Sequence, residues 1–98
     1  MKISVKKLGG FAGLEEIIAE IDTTQLPATK RQVIEEMVQN IDFFNLPPVI
    51  AGEMIGADMF HYEVTIIDGS RKHTITFGEH ESIETAPLHK LIDTLRSL

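Results

Sequence analysis

The strongest constraint on how this chain folds is the run across residues 59–77. Phe60, Tyr62, Val64 and Ile66 alternate with His61, Glu63 and Thr65, and after Asp68-Gly69 the residues His73, Ile75 and Phe77 alternate with Thr74 and Thr76. A period of two is that of a half-buried strand, and Asp-Gly is a tight-turn signal. Pairing through that turn puts both apolar sets on one face. The chain must therefore hold an antiparallel sheet with one side that something else has to cover.

Two segments have the pattern to cover it. Pro27 pre-sets a helical dihedral, Thr29 and Gln32 stand at capping-box spacing, and Val33, Ile34, Met37, Val38 and Ile41 form one apolar stripe, which predicts a helix over 27–40. Pro87 opens a second, with Leu88, Leu91, Ile92, Leu95 and Leu98 at helical spacing and His89 off that stripe. Between the helix and the hairpin, Pro47-Pro48 forces extended backbone just before it, and 49–57 shows no clean period and reads as a loop.

At the N-terminus Ile3 and Val5, with the stem of Lys7, alternate with Lys2, Ser4 and Lys6, which predicts a strand over 2–8. Residues 14–21 fit two patterns. Leu14, Ile17, Ile18 and Ile21 suit a helix, whereas Ile17, Ala19 and Ile21 suit one face of a strand. The short glycine-rich link Gly9-Gly10-Phe11-Ala12-Gly13 is of hairpin length, and it decides for a strand. The expected fold is α+β: a four-stranded antiparallel sheet with two helices in the order β-β-α-β-β-α, forming one domain over residues 1–98.

With 98 residues and a formal net charge of -6, the chain has no basic field to collect phosphates, which argues against nucleic acid as a partner. Hydrophobic residues make up 43% of the chain and aromatics only 6%, so the core is aliphatic and the composition is that of a folded globule. No cysteine is present, which excludes disulfides and thiolate chemistry and favours the cytoplasm over a secreted location. No stretch approaches the roughly 20 apolar residues of a membrane span.

Catalytic and cofactor chemistry find little support. His61 and His73 fall on opposite faces of their strands, His80 lies in a loop, and no two histidines have helical ligand spacing. The serines lack a nucleophile frame, and the glycine run lacks the lysine of a phosphate-binding loop. Glu15-Glu16, Glu35-Glu36 and Asp22 read as a solvated face. We expect no enzyme, no cofactor and no metal. What remains are apolar residues on glycine-bearing segments: Phe11 among Gly9, Gly10, Ala12 and Gly13, and Met54-Ile55 between Gly52 and Gly56. Phe11 is either tucked into the core or held out as an anchor for a partner's pocket. Phe43 and Phe44, just past a helix end, read as core.

Taken in order, Ile3-Ser4-Val5, Gly9-Gly10-Phe11-Ala12-Gly13, Asp22 with Leu26-Pro27, Asp42-Phe43-Phe44 with Leu46-Pro47, the strand 60–68, His73 and Pro87-Leu88 resemble the emfourin family. These are small protein inhibitors encoded with protealysin-like metallopeptidases of the thermolysin class. The resemblance implies a soluble inhibitor, monomeric when free, that plugs the active-site cleft of a thermolysin-like zinc peptidase. Such peptidases take a bulky apolar side chain just after the scissile bond, a role open to Phe11 or Ile55. The competing reading is a scaffolding module that binds an unrelated protein through the polar sheet face of His61, Glu63, Thr65, Thr74 and Thr76.

Overall fold

The alternating run forms the middle of the sheet. The computed structural model describes residues 1–9, 13–50 and 60–98. In chain order these form β1 (Lys2–Gly9), β2 (Leu14–Asp22), α1 (Ala28–Asn40), β3 (Val49–Ile50), β4 (Phe60–Asp68), β5 (Arg71–Gly78) and α2 (Ala86–Arg96), with single 3₁₀ turns at Thr23–Gln25 and Phe43–Asn45. The sheet order is β2-β1-β4-β5-β3, so β4 is central. The β4–β5 connection is a two-residue turn in which Gly69, at φ +62°, takes the first central position. That backbone region is open to glycine without strain.

The α+β class holds, but the sheet has five strands and is mixed, not four and antiparallel. The added strand is β3, which pairs parallel to β5 through Val49↔Thr76 and Ile50↔Phe77. Pro48 cannot donate, yet its carbonyl accepts from the Thr76 backbone N–H at 2.8 Å, so the proline pair delivers the chain to a sheet edge. The neighbouring segment is pinned by His73, whose Nε2–H donates to the Leu46 carbonyl at 2.7 Å, and by the buried ring of Phe43 set edge-on to His73.

Residues 14–22 are a strand, as the glycine link suggested, but its face changes midway. Val5 pairs with Ala19 while Lys6 pairs with Ile17, so Ile18 is an extra residue, a β-bulge. Ala19 and Ile21 pack against the core. Ile17 is thrown to the opposite face beside Lys6 and is 58% exposed, so the expected single face of Ile17, Ala19 and Ile21 does not form.

Both helices cover the face carrying Ile3, Val5, Val64, Ile66, Ile75 and Phe77. Ile34 and Val38 of α1 and Leu88, Leu91, Ile92 and Leu95 of α2 complete a single buried cluster. Each such aliphatic residue contributes about 1.5–3 kcal/mol by leaving water. Val33 and Leu98, expected in the stripes, are exposed. The capping box on α1 does not form either. Thr29 already lies inside the helix, Gln32 bonds Glu36 instead, and the extended Pro27 offers its carbonyl to the Arg31 N–H. His89 also departs from its expected place off the apolar stripe: its ring packs edge-on against Tyr62 and Phe77.

Candidate functional site

The glycine link and the segment before β4 are joined through the sheet. β1 ends at Gly9, which pairs with Leu14 on one side and with Phe60 on the other. Gly9 is thus the last described residue before 10–12, and Phe60 is the first after 51–59. Ile50, where 51–59 departs, pairs with Phe77, itself the partner of Tyr62. Both segments singled out in the sequence therefore leave from the same end of the sheet. Phe11, Gly10, Ala12, Met54 and Ile55 lie outside the described residues; of the expected contact set the structure places Gly9 and Gly13.

Gly9 has φ +103° and Gly13 φ +63°, both in the region that favours glycine. A Cβ built on Gly13 would meet nothing within 4 Å, so glycine there answers a backbone need and not a lack of room. The link between the antiparallel β1 and β2 is framed by two residues whose backbone only glycine holds at little cost.

A firm base supports this end. Lys7 Nζ stands 2.8 Å from Glu79 Oε2 and 4.7 Å from the centre of the Phe60 ring, tying β1, β4 and the residue after β5 together. The Glu79 backbone N–H donates to the Phe60 carbonyl at 3.2 Å. The Glu79 carboxylate raises the Lys7 pKa, chiefly through its hydrogen bond, against the opposing effect of burial. On the outer face Lys6 pairs with Glu15 at 3.1 Å, and its pKa is likewise raised by that partner. Leu14, at the edge of this end, is 61% exposed.

Of the acids read as a solvated face, all but Glu16 have a local partner among the described residues. Glu15 pairs with Lys6, Glu35 accepts from Thr23 and Arg31, and Asp22 accepts from the Thr24 N–H and hydroxyl, which lowers its pKa. Among the described residues no three His, Asp or Glu side chains stand close enough to hold a metal. His61, Glu63, Thr65, Thr74 and Thr76 lie on the face opposite the helices, where Thr65 and Thr74 bond each other at 2.9 Å. No helix among the described residues is long and apolar enough to cross a membrane.

The Lys7, Phe60 and Glu79 contact was not legible in the sequence, because its members are distant along the chain and none breaks the strand pattern. A lysine at a core-facing position of β1 was the available signal, since its charge had to find a partner at the sheet's end.

The fold defines a small α+β protein that brings the described roots of both glycine-bearing segments to one end of its sheet. The chain belongs to the emfourin family, whose model matches residues 5–96. That is an inhibitor family, and membership implies a metallopeptidase-inhibitor role in general. Neither the curated proteins nor the solved structures returned a match.

Proposed function

We propose that the chain inhibits a thermolysin-like, protealysin-like zinc metallopeptidase by seating Gly9-Gly10-Phe11-Ala12-Gly13, with Met54 and Ile55 of the neighbouring segment, in the active-site cleft. Binding is non-covalent, and the chain brings no metal or catalytic group of its own. It acts as one domain over residues 1–98, monomeric when free, in the cytoplasm. The observation that carries this reading is the pairing of Gly9 with Phe60, which sets the roots of the two segments next to each other. A loop that enters a protease cleft must resist both cleavage and reshaping, and rigid attachment lowers the ordering cost of binding. The β1–β2 and β1–β4 ladders and the Lys7–Glu79 pair supply that attachment.

Titrating a purified protealysin-like peptidase with the chain tests this. Activity should fall linearly to zero near one equivalent, and Phe11→Ala should weaken inhibition by about thirtyfold or more, the scale of an interface anchor. Full activity in excess chain, with no complex on size exclusion, would falsify the inhibitor reading.

A further inference from the structure

The segment joining β5 to α2 reaches the same end of the sheet. It leaves Gly78, the partner of His61, and four residues after Glu79 it presents Ile83, which is 95% exposed. Four residues span at most about 14 Å, so Ile83 stays near Gly9 and Phe60, the roots of the two segments.

A lone exposed apolar side chain is ordinary; the backbone under this one is not loose. The Ser82 N–H donates to Thr85 Oγ1 at 2.9 Å, and the Thr85 N–H donates back to Ser82 Oγ at 3.2 Å. The Ala86 N–H closes on the Ser82 carbonyl at 2.8 Å. These are the reciprocal bonds of a capping box, set one turn ahead of α2. They fix the turn while leaving the isoleucine in water, where it adds nothing to the core. Glu79, Glu81 and Glu84 surround it in sequence.

We propose that Ile83 is a second anchor of the inhibitor, docking on the lip of the peptidase cleft beside the inserted loops. The site it fits is a shallow apolar pocket; Glu79 is held by Lys7 and Glu84 accepts from the Ser82 hydroxyl at 3.3 Å, so the contact is chiefly apolar. The partner is the same peptidase, so this inference rests on the inhibitor reading above. It makes the contact surface three-part, with one part presented by the hydrogen-bonded turn Ser82–Thr85 ahead of α2.

The test is the inhibition constant of Ile83→Ala and Ile83→Ser against a purified protealysin-like peptidase. Val33→Ala, an equally conservative change at an exposed residue of α1, serves as control. Both Ile83 variants should melt with the wild type, inhibit about tenfold or more weakly, and still reach full inhibition at saturation. The Val33 variant should match the wild type. Ile83 variants that inhibit as well as wild type would overturn this inference and leave the inhibitor reading standing. A wild-type chain that neither inhibits nor binds would overturn both.

Discussion

Gly13 and Gly69 form a matched pair. They have nearly the same dihedral, φ +63° and φ +62°, and a Cβ at either would meet nothing within 4 Å. Alanine at each site therefore adds backbone strain without a clash, on the order of 1–2 kcal/mol for an L-residue in this region. They sit at opposite ends of the sheet, Gly69 beyond Asp68↔Arg71 and Gly13 beyond Gly9↔Leu14. At Gly69 the two-residue turn cannot relax without breaking the β4–β5 ladder, so the strain appears in stability. For a domain of this size that is a fall in melting temperature of about 4–15 °C. Gly13 closes no such two-residue turn, and the same free energy is expected to appear as a smaller binding-competent population. A cost of 1–2 kcal/mol corresponds to about five- to thirtyfold in the inhibition constant. Asparagine visits this region more readily than alanine, so Gly13→Asn should fall between. Calorimetry and peptidase titration on Gly13→Ala and Gly69→Ala read both quantities. If Gly69→Ala weakens inhibition as much as Gly13→Ala does, the site is not at the Gly9 end and the reasoning fails.

Lys7→Met removes the pair with Glu79 and leaves the buried Glu79 Oε2 with no other partner among the described residues, so it should cost about 1–3 kcal/mol of stability. Because the Lys7 pKa is raised in the folded chain, its contribution is present at neutral pH and lost as pH rises through that raised value. The two melting curves should therefore converge in strong alkali. The Asp22 pKa is lowered, so its contribution is present above the usual carboxylate range and lost as pH falls through the folded value. Asp22→Ala should melt below the wild type at pH 7 and alongside it in strong acid. His89 Nε2 is buried with no hydrogen-bond partner among the described residues, so His89→Leu should leave stability equal or raise it by about 1 kcal/mol, read by denaturant midpoint. A clear loss would show that the nitrogen has a partner.

The sequence carried the sheet's centre because Phe60, Tyr62, Val64, Ile66, Ile75 and Phe77 repeat at period two over lengths no helix would tolerate. β3 was illegible because Val49 and Ile50 are too few to show a period. Its placement comes from Pro48 and from His73 holding Leu46, which are tertiary facts. The bulge at Ile18 was hidden because Leu14, Ile17, Ile18 and Ile21 suit more than one pairing, and only the register with β1 selects which face Ile17 takes. His89 lies only about 60° round the helix from Ile92, at the flank of the stripe, where the aromatic rings of Tyr62 and Phe77 reach it. Of the candidate site, the two glycine-bearing segments were visible as exceptions to strand and helix pattern. That their roots are neighbours was not, because it depends on β4 pairing with β1 across some fifty intervening residues.

Amide hydrogen exchange on the chain, free and bound to a protealysin-like peptidase, tests the central claim most directly. Exchange should slow at Gly9, Gly13, Leu14, Phe60 and residues 79–85, with Gly69, Ser70 and the exposed face of α1 unchanged. Protection centred on the β4–β5 turn, or spread over Glu63, Thr65, Thr74 and Thr76 of the polar face, would contradict it.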